Sequence, residues 1–393
     1  MKRRILFVVK GYYPDLSPSG NLVKPLVEEL SKNNFVYVLS WSGKSHTGQY
    51  TKNLHFKKIE LKKSGGIFFR LLGFLKRNFG LKIYDNNLVN KMKLEIESLD
   101  REYNFDSIIA VTFEEILALM YSRILAKKKS AFLLEKIPLA SNIKVPFLYP
   151  YRREQKVKIE EEIMDKFNSV FVLPIMYKYF SQNDKYKNKT KLVELEHPMV
   201  VNNISSKKSN NKVYKLIYAG GLDRNQRNPL QILNFFLKVS KVIMVDLKFY
   251  SYGNMQNSLY KFASANSFFS QSAGISADLL KKEIDGTDFI VTIGNKESDI
   301  VPSKIFDCIS TGKPIIHFAQ IAEDPYKKYL DLYPNSIMVN VQDLSEDETV
   351  SKIVSFMEKN YNNQTTYKYI YNNFYECTPE YVGRKLLDIL QQE

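Results

Sequence analysis

The chain has 393 residues, is 44% hydrophobic and 13% aromatic, and carries a formal charge of +15. That length suits two domains of roughly 150 to 200 residues, and the charge favours anionic partners. Two cysteines (Cys308, Cys377) and four scattered histidines (His46, His55, His197, His317) form neither a disulfide framework nor a zinc pattern, which disfavours metal-dependent hydrolysis and fits a reducing cytoplasm.

Residues 4–9 read as a short strand. The apolar run Ile5 to Val9 ends at Lys10 and Gly11 and is too short for a signal-peptide core. A glycine-containing loop, 11–21, then opens an amphipathic helix over 22–32, with Ser19 or Asn21 as its cap. A second strand at 35–40 completes the start of a parallel βαβ sheet. Next comes a basic amphipathic segment, 67–81, preceded by Lys57, Lys58, Lys62 and Lys63. Its Phe68, Arg70, Leu72, Lys76 and Arg77 could lie on the anionic inner leaflet of a membrane, or the segment could be an ordinary core-packing helix. No stretch reaches the roughly 18 to 20 apolar residues of a membrane-spanning helix, so the expectation is a cytoplasmic protein, soluble or peripheral at the membrane.

The alternation continues with helices at 88–102, 114–126 and 154–167 and strands at 106–112, 130–134 and 169–173. Residues 197–212 have the Ser- and Asn-rich composition of a linker. The pattern then restarts, with strands at 213–219, 246–252, 289–293 and 314–318 and helices at 229–239 and 303–311. An amphipathic helix at 379–391 ends it. This organisation predicts an α/β protein of two Rossmann-like doubly wound domains, 1–196 and 213–376, with an interdomain cleft and a closing segment, 377–393. Nothing resembles a nucleic-acid recognition motif, so no nucleic-acid partner is expected.

Chemistry concentrates in three places. Asp299 and Asp307 stand eight residues apart across a helix start at Pro302, Ser303 and Lys304, offering hydroxyl acceptors beside a helix N-terminus that suits phosphate. Residues 218–229 (YAGGLDRNQRNP) read as a strand entering a Gly220-Gly221 turn, with Arg224 and Arg227 as forked donors for a diphosphate. The loop 11–21 (GYYPDLSPSGN) supplies Gly20 and Asn21. Each has a plain alternative: a loop cap and a solvated helix residue for the two aspartates, surface residues for the arginines, a turn and helix cap for Gly20 and Asn21.

Together these segments resemble the GT-B glycosyltransferases of family 4. Asp299 and Asp307 occupy the ends of that family's Glu-x7-Glu pair, and residues 310–316 (STGKPII) resemble the segment that follows it. The resemblance implies a two-domain GT-B fold. It also implies transfer of a hexose from a nucleoside-diphosphate sugar, such as a UDP-sugar, to a hydroxyl of a glycan or lipid-linked glycan, with retention and without metal or cofactor, in bacterial surface polysaccharide or glycoconjugate synthesis. Asp299 would contact the donor sugar as the catalytic residue and Asp307 the ribose. Arg224, Arg227, Ser303, Lys304, Gly20 and Asn21 would hold the donor's diphosphate. Both acids are aspartate where the family commonly has glutamate, Gly221 replaces its first arginine, and residues 100–196 lack the histidine many relatives use. Glu114 and Glu115 are the nearest polar groups there, read as first-turn helix residues, and no catalytic base is assigned. These departures keep two alternatives open: an inactive glycosyltransferase-like partner protein, and another nucleotide-sugar enzyme such as an epimerase.

Overall fold

The computed structural model describes residues 2–12, 17–41, 46–60, 84–137, 149–183, 186, 191–204 and 213–392. It divides into two compact units, Met1–Met199 with Glu376–Glu393, and Val200–Tyr375.

Unit 1 is built on an eight-stranded sheet. Its elements are β1 (Arg4–Lys10), α1 (Pro18–Ser31), β2 (Phe35–Trp41), β3 (His46–Thr51), β4 (Leu54–Ile59), α2 (Asn86–Tyr103), β5 (Ser107–Val111), α3 (Phe113–Met120), β6 (Lys128–Leu133), α4 (Tyr149–Lys166), β7 (Ser169–Val172), α5 (Pro174–Ser181) and β8 (Lys191–Glu194). The strand order is β3-β4-β2-β1-β5-β6-β7-β8, parallel throughout except for the antiparallel β3–β4 pair. Ile5 to Val9 of β1 are wholly buried, the continuous apolar run of a strand covered on both faces. The C-terminal helix, Pro379–Gln391, belongs to this unit and packs on α1, with Gly383 against Leu26 and Leu30.

Unit 2 carries a six-stranded parallel sheet, order β11-β10-β9-β12-β13-β14. It comprises β9 (Tyr214–Leu222), α6 (Leu230–Val239), β10 (Val245–Gly253), α7 (Gln256–Ala265), β11 (Phe269–Ser272), α8 (Ala277–Asp285), β12 (Phe289–Ile293), α9 (Lys304–Ser310), β13 (Ile315–Ala319), α10 (Lys327–Leu330), β14 (Ser336–Asn340), α11 (Asp347–Asn360) and α12 (Tyr367–Asn373). Leu216, Leu233, Phe236, Leu247, Phe289, Phe318, Ile353 and Met357 anchor its core.

Several boundaries differ from those the sequence suggests. Helix α1 starts at Pro18 rather than 22, because Ser17 supplies the cap, its Oγ accepting the Gly20 N–H at 3.1 Å. Helix α3 stops at Met120 rather than 126: the Asp100 carboxylate takes the backbone N–H groups of Leu125 and Ala126, which a continuing helix would use internally. Gly220 and Gly221 form no turn. They continue β9, paired with Ser251 and Tyr252 of β10, and the chain reverses only at Asp223–Arg227. Within the supposed linker, His197, Met199 and Val200 are buried. The segment 67–81, with Phe68, Arg70, Leu72, Lys76 and Arg77, lies outside the described residues. No helix among the described residues is long and apolar enough to cross a membrane.

Candidate functional site

Parallel sheets gather functional groups where their strands end, and in unit 2 these ends collect cations. The turn after β9 is shaped by Asp223, whose Oδ1 accepts the N–H groups of Asn225 (2.8 Å) and Gln226 (3.1 Å) while its carbonyl accepts that of Arg227 (2.8 Å). These bonds hold the Asp223 carboxyl below its ordinary range. The turn brings the Arg227 guanidinium back over the strand, where it donates at 3.4 Å to the Gly221 carbonyl, the same oxygen that the buried Tyr218 hydroxyl donates to at 3.0 Å. Its Nε is buried without a hydrogen-bond partner.

Lys304 converges on the same place. A Cβ at Gly220 would stand 3.5 Å from the Lys304 Nζ, an ordinary contact that places the ammonium directly over this glycine, and 3.1 Å from the Tyr218 hydroxyl, which is tight. Desolvation lowers the Lys304 pKa, Cys308 and Asp307 raise it, and Arg227 lowers it again. A partly desolvated ammonium beside a guanidinium is a pair of like charges that an incoming anion would relieve.

The acids sit on the flanking loop. Asp299 is exposed on the connection 294–303 between β12 and α9, and Asp307 is exposed in the first turn of α9. Gln226 Nε2 donates to Glu297 Oε1 at 3.1 Å, tying the arginine turn to this connection. Helix α9 has only seven residues, and the Ser303 side chain caps none of its N–H groups. The macrodipole expected there is therefore small, and the electrostatic weight moves to Arg227 and Lys304. Arg224 is exposed and joins the turn through its backbone, whose N–H Asn254 Oδ1 accepts at 2.9 Å. Two small grooves of unit 2, one lined by Lys215, Asp246 and Lys282, the other by Asp288, Lys313 and Gln364, open at the opposite ends of the strands.

In unit 1, Gly20 has a packing role: a Cβ there would stand 1.8 Å from the Gly11 carbonyl oxygen, so only glycine lets α1 approach the end of β1. Asn21 is half-buried, and its N–H donates to the Ser17 carbonyl. Glu114 and Glu115 lie in the first helical turn after β5, as the sequence suggests, but the sequence reading missed the partners that Glu115 finds there. Thr112, at the end of β5, has φ +73° and ψ 176°, a strained conformation for a β-branched residue. Its hydroxyl donates to Glu115 Oε2 at 2.6 Å, and the Trp41 indole N–H donates to Oε1. Glu115 is fully buried, and desolvation, partly offset by these bonds, pushes its carboxyl up to about 7. Lys10 is exposed, its ammonium 4.9 Å from the centre of the Trp41 ring. The clue available in the sequence was that Trp41 is the chain's only tryptophan. Among the described residues, no cluster of three or more His, Cys, Asp or Glu could hold a metal ion.

No family model and no curated protein matches the sequence. Solved structures match its fold. Sucrose-phosphate synthase from Thermosynechococcus elongatus superposes with a TM-score of 0.69 at 10% identity, over 100% of this chain and 99% of that one. The fold is GT-B. Anabaena HepE in complex with UDP and glucose (TM-score 0.58, 12% identity, 99% of both chains) and a UDP-N-acetylglucosamine 2-epimerase (TM-score 0.52, 11% identity, 98% of this chain and 95% of that one) share the architecture. A GT-B frame at these identities leaves the chemistry to be argued from the residues.

Proposed function

We propose that the protein is a retaining glycosyltransferase that moves a hexose from a nucleoside-diphosphate sugar, such as a UDP-sugar, to a hydroxyl of a glycan or lipid-linked acceptor; the HepE structure of the same fold holds UDP and glucose. The observation that carries this reading is the convergence of Arg227 and Lys304 beside Gly220 at the strand ends of unit 2. Departure of a nucleoside diphosphate builds negative charge on its phosphates. A guanidinium and an ammonium already held there stabilise that charge with little reorganisation and without a metal. Asp299 would accept hydroxyls of the donor sugar and Asp307 those of the ribose, with Ser303 and Arg224 at the margin of the diphosphate site. Unit 1 would take the acceptor side, with Gly20 and Asn21, in the first turn of α1, toward the donor's diphosphate. Surface polysaccharide or glycoconjugate synthesis at the membrane's inner leaflet is the setting this chemistry suits.

The test is a panel of nucleotide-sugars read by thermal shift and by hydrolysis, followed by Arg227→Ala and Asp299→Ala with the best donor. The reading expects a UDP-sugar to stabilise the protein and both variants to lose its slow hydrolysis. Failure of every nucleotide to bind would leave an inactive partner protein. A free epimer formed without acceptor would move the assignment to the epimerases, which share this frame.

A further inference from the structure

The connection 294–303 carries Glu297 and Asp299 and delivers Lys304 into α9, so its shape decides where these groups stand. Both of its ends rest on one short segment, Asp324–Tyr326. At the first end, Gly294 donates its N–H to the Phe318 carbonyl at 2.9 Å, and a Cβ at 294 would stand 2.0 Å from Asp324 Oδ2. The Asp324 carboxylate therefore lies directly on the Gly294 Cα. At the far end, the Tyr326 hydroxyl donates to the Pro302 carbonyl at 3.0 Å. Asp324 Oδ1 accepts the Tyr326 N–H at 2.9 Å, which makes the two contacts one unit.

His317 underlies both. Its Nδ1 is 2.9 Å from Thr292 Oγ1 on the neighbouring strand, its Nε2 is 3.2 Å from Asp324 Oδ2, and its ring centre is 4.8 Å from that of Tyr326. His317 is 0%, Asp324 3% and Tyr326 3% exposed. Neither His317 Nε2 nor Asp324 Oδ2 forms an aligned hydrogen bond with any group, so their 3.2 Å approach to each other is a polar contact that the packing around them must hold. Ile315, Ile316 and Phe318 surround His317 in β13, all wholly buried. An aliphatic residue would suit such a strand with no desolvation cost, and a buried His–Asp pair is poorly explained by stability alone.

We propose that His317, Asp324 and Tyr326 are positioning residues that fix both ends of the 294–303 connection and thereby set Asp299 and the Lys304 ammonium for the donor. The donor role rests on the glycosyl-transfer reading above; the bracing of the connection does not. None of the three reaches the surface, so their effect on a ligand passes through the backbone they hold.

The test uses the full chain with Tyr326→Phe, His317→Leu and His317→Gln, the last retaining donor and acceptor capacity. Hydrogen exchange in the ligand-free proteins should show amides 295–301 exchanging faster in Tyr326→Phe and His317→Leu, with the β9 amides unchanged. With the best UDP-sugar, the donor KM should rise about 2- to 10-fold in these two variants, the range for loss of one buried hydrogen bond, and His317→Gln should recover most of it. Unaltered loop exchange in both folded variants overturns the proposal, and so does β9 exchange accelerating in step with the loop, because that signals general destabilisation. If the wild-type chain accepts no nucleotide-sugar, the donor reading fails while the exchange measurement still decides the bracing.

Discussion

At the strand ends of unit 1 the perturbed group is a carboxyl, Glu115, sealed beneath an indole; at those of unit 2 it is an ammonium, Lys304, beside a guanidinium. Burial acts on both in the same physical direction, toward the neutral form. The outcomes differ because of the neighbours. Glu115 receives two donors from the protein itself, whereas Lys304, desolvated and only partly offset by Cys308 and Asp307, also has Arg227, a second cation, beside it. The first arrangement is internally satisfied; the second gains from an anion supplied from outside.

The sharpest way to break this contrast is to remove the cations. Arg227→Ala and Lys304→Ala should each weaken UDP binding about 10- to 100-fold, the range for a charge-assisted hydrogen bond, measured by titration calorimetry. Equal affinity in wild type and both variants would move the anion site elsewhere.

On the opposite side, Glu115→Gln should stabilise the protein at pH 8 by about 1–3 kcal/mol, because the wild type must keep a buried carboxylate ionised there. The folded-state pKa, about 7, lies above the ordinary carboxyl value of 4.5. The group's stabilising contribution is therefore fully present below about pH 4.5 and lost as pH rises through about 7, so the advantage of Glu115→Gln should fade on acidification. Calorimetric melting across that range checks the sign. Trp41, the only tryptophan, reports the same event directly: its emission should titrate with a midpoint near pH 7, and a midpoint that survives in Glu115→Gln would assign the change to another group.

Smaller effects separate the aspartates from the outer arginine. Asp307→Ala should reduce UDP affinity about 5- to 10-fold through lost ribose contacts. Arg224→Ala should change it by no more than about 2-fold, since an exposed, solvent-screened charge contributes little. A reversal of that order would show that the turn 223–227 presents its outer arginine to the ligand.

How much of this was legible in the sequence follows from where each signal resides. β1, β12 and the C-terminal helix stood out because a strand buried on both faces or a one-sided helix writes its burial into neighbouring residues. β3 escaped because His46–Thr51 is nearly all exposed, an edge strand held by pairing with β4 rather than by an apolar face. At the candidate site, residues 218–229 and 299–307 drew attention through composition, but the approach of Lys304 to Gly220 depends on two strands lying side by side. The Glu115–Trp41 bond joins residues 74 positions apart, and His317 meets Asp324 only where the chain leaves β13 and turns back. Such pairs have no local pattern to betray them. Gly220-Gly221 misled in the other direction, since glycines commonly mark turns yet here extend a strand.

The C-terminal helix has a consequence for biosynthesis. Val382, Leu386 and Leu390 are sealed in unit 1, and Arg3, at the other end of the chain, donates to the Leu390 carbonyl at 3.0 Å. All of Val200–Tyr375 is translated between the two halves of that unit. During vectorial synthesis, unit 2 can complete its core while the first-made unit still lacks a wall, inverting the usual order in which the N-terminal part of a chain matures first. Until the last helix emerges from the ribosome, the apolar face of α1 is uncovered, and the nascent chain depends on its speed of completion, or on a chaperone, to keep that face from other partners.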